Sequence, residues 1–191
     1  MTTKKWMLLF GFLLATNLNL SLQAQGVGFK VGLSVSNLQG EIPTKSRFDA
    51  AVGFYADLDY NDRLSFQVEA VLNRIGATAR ATEQEFRLHY IAVPILVKYD
   101  VLDRVSLYAG PQISFLSTAQ TYINEEIFDV NDAVNSSDFG LAAGFTFQFP
   151  SSLNIDIRVY QGMIKVYKNA LLNPVLKNQV FTVSIGYLLA K

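Results

Sequence analysis

Apolar and polar side chains alternate, one for one, along eight stretches of this sequence. A period of two is that of a β-strand, because successive side chains of a strand point to opposite faces. The eight stretches are residues 27–36, 51–60, 64–73, 87–100, 104–117, 137–149, 152–162 and 179–189. Each has about 10 to 14 residues, which suits a tilted strand that crosses a bilayer, whereas strands of soluble proteins are typically about 5 to 6 residues long. The alternation therefore predicts membrane-spanning strands.

The links between the stretches alternate strictly between short and long. The expected short turns and long loops are, respectively, Asn61–Asp62, Leu102–Asp103 and Pro150–Ser151, and residues 37–50, 74–86, 118–136 and 163–178. Outer-membrane barrels combine short periplasmic turns with long external loops. In a bilayer, every backbone polar group must be paired within the protein, so the strands must close into a ring. We therefore predict an all-β fold: a closed eight-stranded antiparallel up-and-down transmembrane β-barrel.

The amino-terminal segment has the pattern of a secretory signal. Lys4 and Lys5 precede a ten-residue apolar run, residues 6–15, which is shorter than the roughly 20 residues of a spanning helix. We expect cleavage after Ala24, which gives a signal peptide over 1–24 and a barrel domain over 25–191. An uncleaved anchor is the alternative. Export of a barrel of this kind implies the outer membrane of a Gram-negative cell.

Half of the residues are apolar and 17% are charged, yet after residue 24 the apolar residues are spread over many short runs. This distribution is typical of a barrel that hides its hydrophobicity in strands. The formal net charge is zero, so there is no basic surplus, and nucleic acid is excluded as a partner. The absence of cysteine excludes disulfides and thiolate chemistry.

Closure of the strands turns the alternation into an outer apolar wall and an inner polar one. The charged members of the inner series are predicted to form a lumen polar network: Lys30, Asp57, Asp59, Glu69, Lys98, Asp156 and Arg158. An eight-stranded barrel is just wide enough inside for side chains to fill it, and an unpaired charge there would be destabilising. We therefore expect mutually compensating ion pairs. Inner glycines, such as Gly53 and Gly144, would relieve crowding.

Two further expectations concern the strands themselves. Aromatic residues near strand ends could form the interfacial girdles of a membrane barrel: Tyr60, Tyr99, Phe115, Phe149 and Tyr187. Pro94 and Pro111 lie inside strands, and each removes a hydrogen bond from the ladder. We therefore expect a β-bulge near each proline.

Several of these segments also carry a family resemblance. HYIAVPILVKYDV (89–101), LYAGPQISFL (107–116), DFGLAAGFTFQF (138–149) and IDIRVYQGM (155–163) resemble the PorT-like outer-membrane β-barrel proteins of Bacteroidetes. GVGFKVGLSVSNL (26–38) is similar to the glycine-rich first strand of that family. The resemblance implies an integral, porin-like barrel of the outer membrane, and it suggests an accessory role in a secretion or surface assembly.

Residues with catalytic or metal-binding potential are few. His89 is the sole histidine, so a lipid-modifying enzyme would have to use it, with Ser117 or Ser136 as the nucleophile; an interfacial histidine is the simpler interpretation. Acidic residues of the longest loop could hold calcium or merely be solvated: Glu125, Glu126, Asp129 and Asp132. We predict no catalytic residue, no metal site and no cofactor.

The leading functional hypothesis is a non-enzymatic outer-membrane barrel with a filled lumen, which serves as a structural or loop-presenting scaffold. Its partners would be outer-membrane lipid and a protein bound by the external loops, the 118–136 loop in particular. The alternatives are a narrow pore for ions or small solutes, an outer-leaflet lipid-modifying enzyme, and a soluble lipocalin-like carrier. Lipocalins usually carry a tryptophan in their first strand. The sole tryptophan of this chain, Trp6, lies in the signal, which weakens the carrier hypothesis.

Overall fold

The alternating stretches form strands in a computed structural model, which describes residues 23–41, 43–79, 85–123, 126–169 and 175–190. The strands are β1 (Gln23–Gly40), β2 (Thr44–Asp59), β3 (Leu64–Ala79), β4 (Glu85–Leu102), β5 (Val105–Ile123), β6 (Glu126–Asp129), β7 (Ser137–Gln148), β8 (Leu153–Gly162) and β9 (Leu176–Ala190). No helix among these residues is long and apolar enough to span a membrane.

Eight of the strands close into a ring. Neighbours in sequence pair antiparallel from β1 through β5. Strand β5 then pairs with β7, β7 with β8, β8 with β9, and β9 with β1 to complete the circle. The four-residue strand β6 folds back onto the outer end of β5 only. The predicted closed eight-stranded antiparallel barrel is confirmed, with β6 as a short addition outside the ring.

The side chains divide between two walls as the period of two requires. On β4, Ile95 and Val97 are 48% and 45% exposed, while Leu96 between them is fully buried. The outer wall of the barrel is an apolar belt that includes Val31, Phe54, Leu72, Ile91, Leu107, Phe139, Phe145, Val159 and Ile185. The five predicted girdle aromatics are all exposed on this wall, and Tyr187 lies against Phe29 with ring centroids 6.0 Å apart.

The strands are longer at the external end than the sequence indicated. β1 to β5 have 16 to 19 residues, whereas about 9 to 11 suffice to cross a bilayer. Most of the predicted loop 37–50 is therefore strand, and so are parts of 74–86 and 118–136. That prediction was wrong because a strand that leaves the bilayer can be polar on its outer face and still keep its ladder. Residues 163–175 remain irregular where they are described.

The expected bulges at the two prolines are absent from the described strands. Ladder pairs are skipped between Val68↔Ile95 and Val71↔Ala92, around Pro94, but the register is the same on both sides. Pairing between β5 and β7 continues unshifted through Pro111. The prediction was wrong because the long flanking ladders hold the register across a missing hydrogen bond. Register shifts occur elsewhere in the described strands: between Ala24 and Gly26, Val27 and Gly28, Ser46 and Ala51, His89 and Tyr90, and Asp100 and Leu102.

Candidate functional site

A buried ion-pair network crosses the lumen in its periplasmic half. Glu69 of β3 accepts two hydrogen bonds of 2.7 Å from the two terminal nitrogens of Arg158 on β8. Its Oε1 also accepts a 2.7 Å bond from Lys30 Nζ of β1. The Glu69 side chain has no exposed surface, and those of Lys30 and Arg158 are at most 9% exposed. Three strands far apart in sequence are thus joined through one carboxylate.

Asp156 is the second anion of this network. Its Oδ1 lies 3.7 Å from Lys30 Nζ and 3.6 Å from an Arg158 terminal nitrogen. Its Oδ2 accepts hydrogen bonds from the hydroxyls of Tyr108, at 2.6 Å, and Thr146, at 3.3 Å. The Tyr108 oxygen in turn accepts a bond from Arg158 Nε. Two cations therefore face two anions, and the centre of the lumen carries no net charge.

The remaining three residues predicted for the lumen network lie apart from it, at the periplasmic mouth. Lys98 Nζ is 3.7 Å from Asp57 Oδ2, and both side chains are partly exposed. These two residues and Asp59 line one cavity of about 410 Å³, together with Asp100 and Arg104. The structure thus divides the seven predicted residues into a buried cluster of four and a solvated mouth of three.

A second polar cluster closer to the external end was missed by the sequence analysis. Asp138 Oδ2 accepts hydrogen bonds of 2.9 Å from the Tyr160 hydroxyl and 2.8 Å from Asn178 Nδ2. Asp138 and Tyr160 do belong to the inner series of the alternation. Asn178 was assigned to a loop, so no pattern connected it with the other two.

Above these clusters, the interior is apolar rather than charged. Segments 130–136 and 163–169 fold over the external opening, and Val134 pairs with Tyr167 in an isolated β-bridge. These two segments, here called the external cap, bury Val134 and Val166 against inward side chains of the strands: Leu38, Ile75, Leu88, Ala119 and Leu176. Burial raises the pKa of Tyr167 to about 12. The expectation of a charged interior throughout is wrong for this half.

Little empty space remains between the ion-pair network and the external cap. The cavity bounded by Lys30, Arg158 and Tyr160 has a volume of about 20 Å³. That is room for about one water molecule. The lumen is therefore narrow at the level of these side chains.

The residues considered for catalysis and metal binding are dispersed. His89 and Ser117 line one cavity of the outer wall but form no hydrogen bond with each other, and Ser136 is exposed in the external cap. Glu126, Asp129 and Asp132 are exposed, and Asp129 accepts bonds from Asn131. Glu125 lies outside the described residues. No metal-binding group of His, Cys, Asp and Glu occurs within the described part of the chain.

Known structures with the same architecture are outer-membrane barrels. The fold is similar to that of Neisserial surface protein A, with a TM-score of 0.61 and 13% identity over 86% of this chain and 98% of that one. It is also similar to the attachment invasion locus protein Ail of Yersinia pestis, solved with the heparin analogue sucrose octasulfate, with a TM-score of 0.54 and 15% identity over 86% of this chain and 99% of Ail. The fold is thus that of a small outer-membrane β-barrel. A comparison with curated proteins gives no match.

Family membership follows from the sequence profile of these barrels. The profile described as "Outer membrane protein beta-barrel domain" matches residues 23–168. The chain belongs to this family, and its place is the outer membrane.

Proposed function

We propose that this protein is a non-enzymatic scaffold, closed along its axis, whose function resides on its external surface. The observation that carries the proposal is the double closure of the lumen. The ion-pair network around Glu69 blocks the periplasmic half, and the external cap blocks the outer half. The charged groups of this network are engaged with one another, which leaves them unavailable to a substrate.

The external surface offers features suited to a protein partner. Strands β4 and β5 continue beyond the apolar belt, and β6 extends this sheet as a hairpin. At the hairpin, Ile127 and Phe128 are 57% and 46% exposed. Exposed apolar residues on a rigid element favour a contact surface, since aromatic anchors contribute much of the binding energy of interfaces. We propose that the 118–136 segment binds a protein of a secretion or surface assembly.

The pore hypothesis is the direct competitor, and conductance distinguishes the two. The full-length protein, inserted in planar bilayers, is expected to give no steady current, because the cavity beside the ion-pair network has room for only about one water molecule. A stable open channel in the unmodified protein would refute the closed scaffold. For the enzyme hypothesis, a His89→Gln variant that abolished a lipid-modifying activity of the wild type would reject the non-enzymatic assignment.

Processing and closer kinship complete the proposal. Residues 1–22 lie outside the described residues, and β1 begins at Gln23, close to the expected cleavage after Ala24. We propose that a signal peptide over 1–24 is removed to leave a 25–191 barrel; amino-terminal sequencing of the protein from outer membranes tests this. The segments quoted above support a PorT-like protein of Bacteroidetes.

A further inference from the structure

A cluster of basic side chains lies on the outer wall, directly above the apolar belt. Arg87 and His89 follow Ile91 at alternate positions of β4, and Arg74 follows Leu72 on β3, so all three share the lipid-facing side. Arg74 and His89 are directly opposite each other in the ladder. Together with Arg47 and the acidic residue Asp49 of β2, they line a cavity of about 200 Å³. Basic groups thus lie at the external edge of the apolar belt on one side of the barrel.

The acidic residues near this cluster balance only part of its charge. Arg47 forms ion pairs with Asp49, at 2.7 Å, and with Glu85. Arg87 pairs with Glu85 at 2.9 Å and stacks on the Tyr122 ring, 3.9 Å from its centroid. Arg74 is exposed and contacts no carboxylate among the described residues. Three arginines therefore face two carboxylates, and one guanidinium remains available for an anion.

A second cavity, about 370 Å³ in volume, adjoins the first on the membrane side. The two cavities share Arg74 and His89, and the lower one is lined by apolar residues of the belt: Ala50, Val52, Leu72 and Ile91. Its apolar lining suits a hydrocarbon chain, whereas the upper cavity suits a charged group. A basic cavity above an apolar one matches the two parts of a phosphorylated lipid whose acyl chain points into the bilayer.

Backbone irregularities shape both cavities. The register of β2 against β3 shifts between Ser46 and Ala51, and that of β4 against β5 shifts between His89 and Tyr90. A bulge re-aims the adjacent side chains and bends the strand. Both of these register shifts thus border the site. Gly76 leaves room for the Arg47 side chain, because a Cβ at this position would be 3.0 Å from Arg47 Cδ.

From this geometry we propose that the outer wall of β2 to β5 binds one phosphate-bearing lipid of the outer leaflet. The planar guanidinium of Arg74 matches two phosphate oxygens with paired N–H donors. His89 contributes a further donor, and Arg47 and Arg87, balanced by Asp49 and Glu85, complete the wall of the upper cavity. The acyl chain lies along Leu72 and Ile91. This site is distinct from the lumen and does not depend on the scaffold proposal.

The test titrates lipid A bearing two phosphates onto the detergent-solubilised full-length protein and counts bound lipid by native mass spectrometry. Arg74→Gln removes the unpaired charge and leaves the described ion pairs intact; it is expected to weaken binding about three- to tenfold, in line with the loss of one exposed charge-assisted hydrogen bond. Arg104→Gln is the matched control, because Arg104 is an exposed arginine at the periplasmic mouth. It is expected to bind as the wild type does.

Two further arms identify the ligand as a lipid. Dephosphorylated lipid should bind the wild type as weakly as lipid A binds Arg74→Gln, and millimolar inorganic phosphate should not displace lipid A. Leu72→Trp, which obstructs the lower cavity, should weaken binding, whereas Leu107→Trp, on the belt away from the site, should not. Equal binding by Arg74→Gln and wild type, equal loss in Arg104→Gln, or displacement by free phosphate would each overturn the proposal. Folding of each variant is verified by heat-modifiable gel migration.

Discussion

Replacement of Glu69 by glutamine is the sharpest perturbation of the lumen. The side chain is fully buried and accepts three hydrogen bonds of 2.7 Å from Lys30 and Arg158. Glutamine keeps the shape but removes the negative charge. Lys30 and Arg158 would then be left with Asp156 alone, whose carboxylate is 3.6–3.7 Å from them. The ion-pair network would carry one uncompensated buried positive charge.

The expected loss of stability is large because breaking a buried pair leaves its partner desolvated and unpaired. Removal of one partner of such a pair typically costs about 3–5 kcal/mol. Glu126→Gln is the matched control, since Glu126 is exposed on β6; a surface change of this kind stays within about 0.5 kcal/mol. Combination of Glu69→Gln with Lys30→Met should recover part of the loss, because the double variant restores neutrality.

Equilibrium urea unfolding in lipid vesicles measures these differences, with circular dichroism for the strands and gel migration for the folded fraction. The mature barrel has no tryptophan, if cleavage occurs as proposed, so fluorescence of that residue is not an option. A Glu69→Gln barrel within about 1 kcal/mol of the Glu126→Gln control would refute the reasoning. So would a double variant whose loss equals the sum of the two single losses.

Three further predictions concern the packing of the interior. Tyr108→Phe removes the hydroxyl between Asp156 and Arg158 and should lower the free energy of unfolding by about 1–3 kcal/mol; an unchanged urea midpoint would contradict this. Gly144→Val should lower the free energy of unfolding by about 1–3 kcal/mol or more, since a Cβ there would meet the Tyr108 hydroxyl at 2.5 Å. A free energy of unfolding equal to that of the wild type in the same assay would contradict this. Val134→Asp places a charge in the apolar external cap, where Val134 is 1% exposed, and should make the 130–136 segment sensitive to protease while the barrel still migrates as folded. Continued resistance of that segment would argue against the external cap as described.

The barrel could be predicted from the sequence because its outer wall faces lipid and its inner wall faces the lumen, and these two environments select different side chains. Ile95, Leu96 and Val97 show the limit of this logic: all three are apolar, yet only the period set by their neighbours assigns Leu96 to the inside. The strand ends at the external side could not be predicted in the same way. Once β2 passes the belt, water meets its outer face, and polar residues there look like a loop.

The composition of the lumen could be predicted from the sequence, but the pairs that its side chains form could not. Alternation selects Lys30, Glu69 and Arg158 as inward residues, but which charges meet depends on the stagger of strands around the ring. That stagger separates Asp57 and Lys98 from the buried cluster. The external cap could not be predicted, because Val134 and Val166 lie in irregular segments without a period.

The central claim is that one wall of each strand faces lipid and the other a closed interior. A lipid-borne nitroxide tests it without any mutation, because it broadens the methyl NMR signals of side chains that touch the acyl chains. In the vesicle-embedded protein, the methyls of Ile95 and Val97 should be broadened strongly, while those of Leu96, which lies between them on β4, should stay sharp. Equal broadening of all three, or broadening of Leu96 alone, would contradict the account.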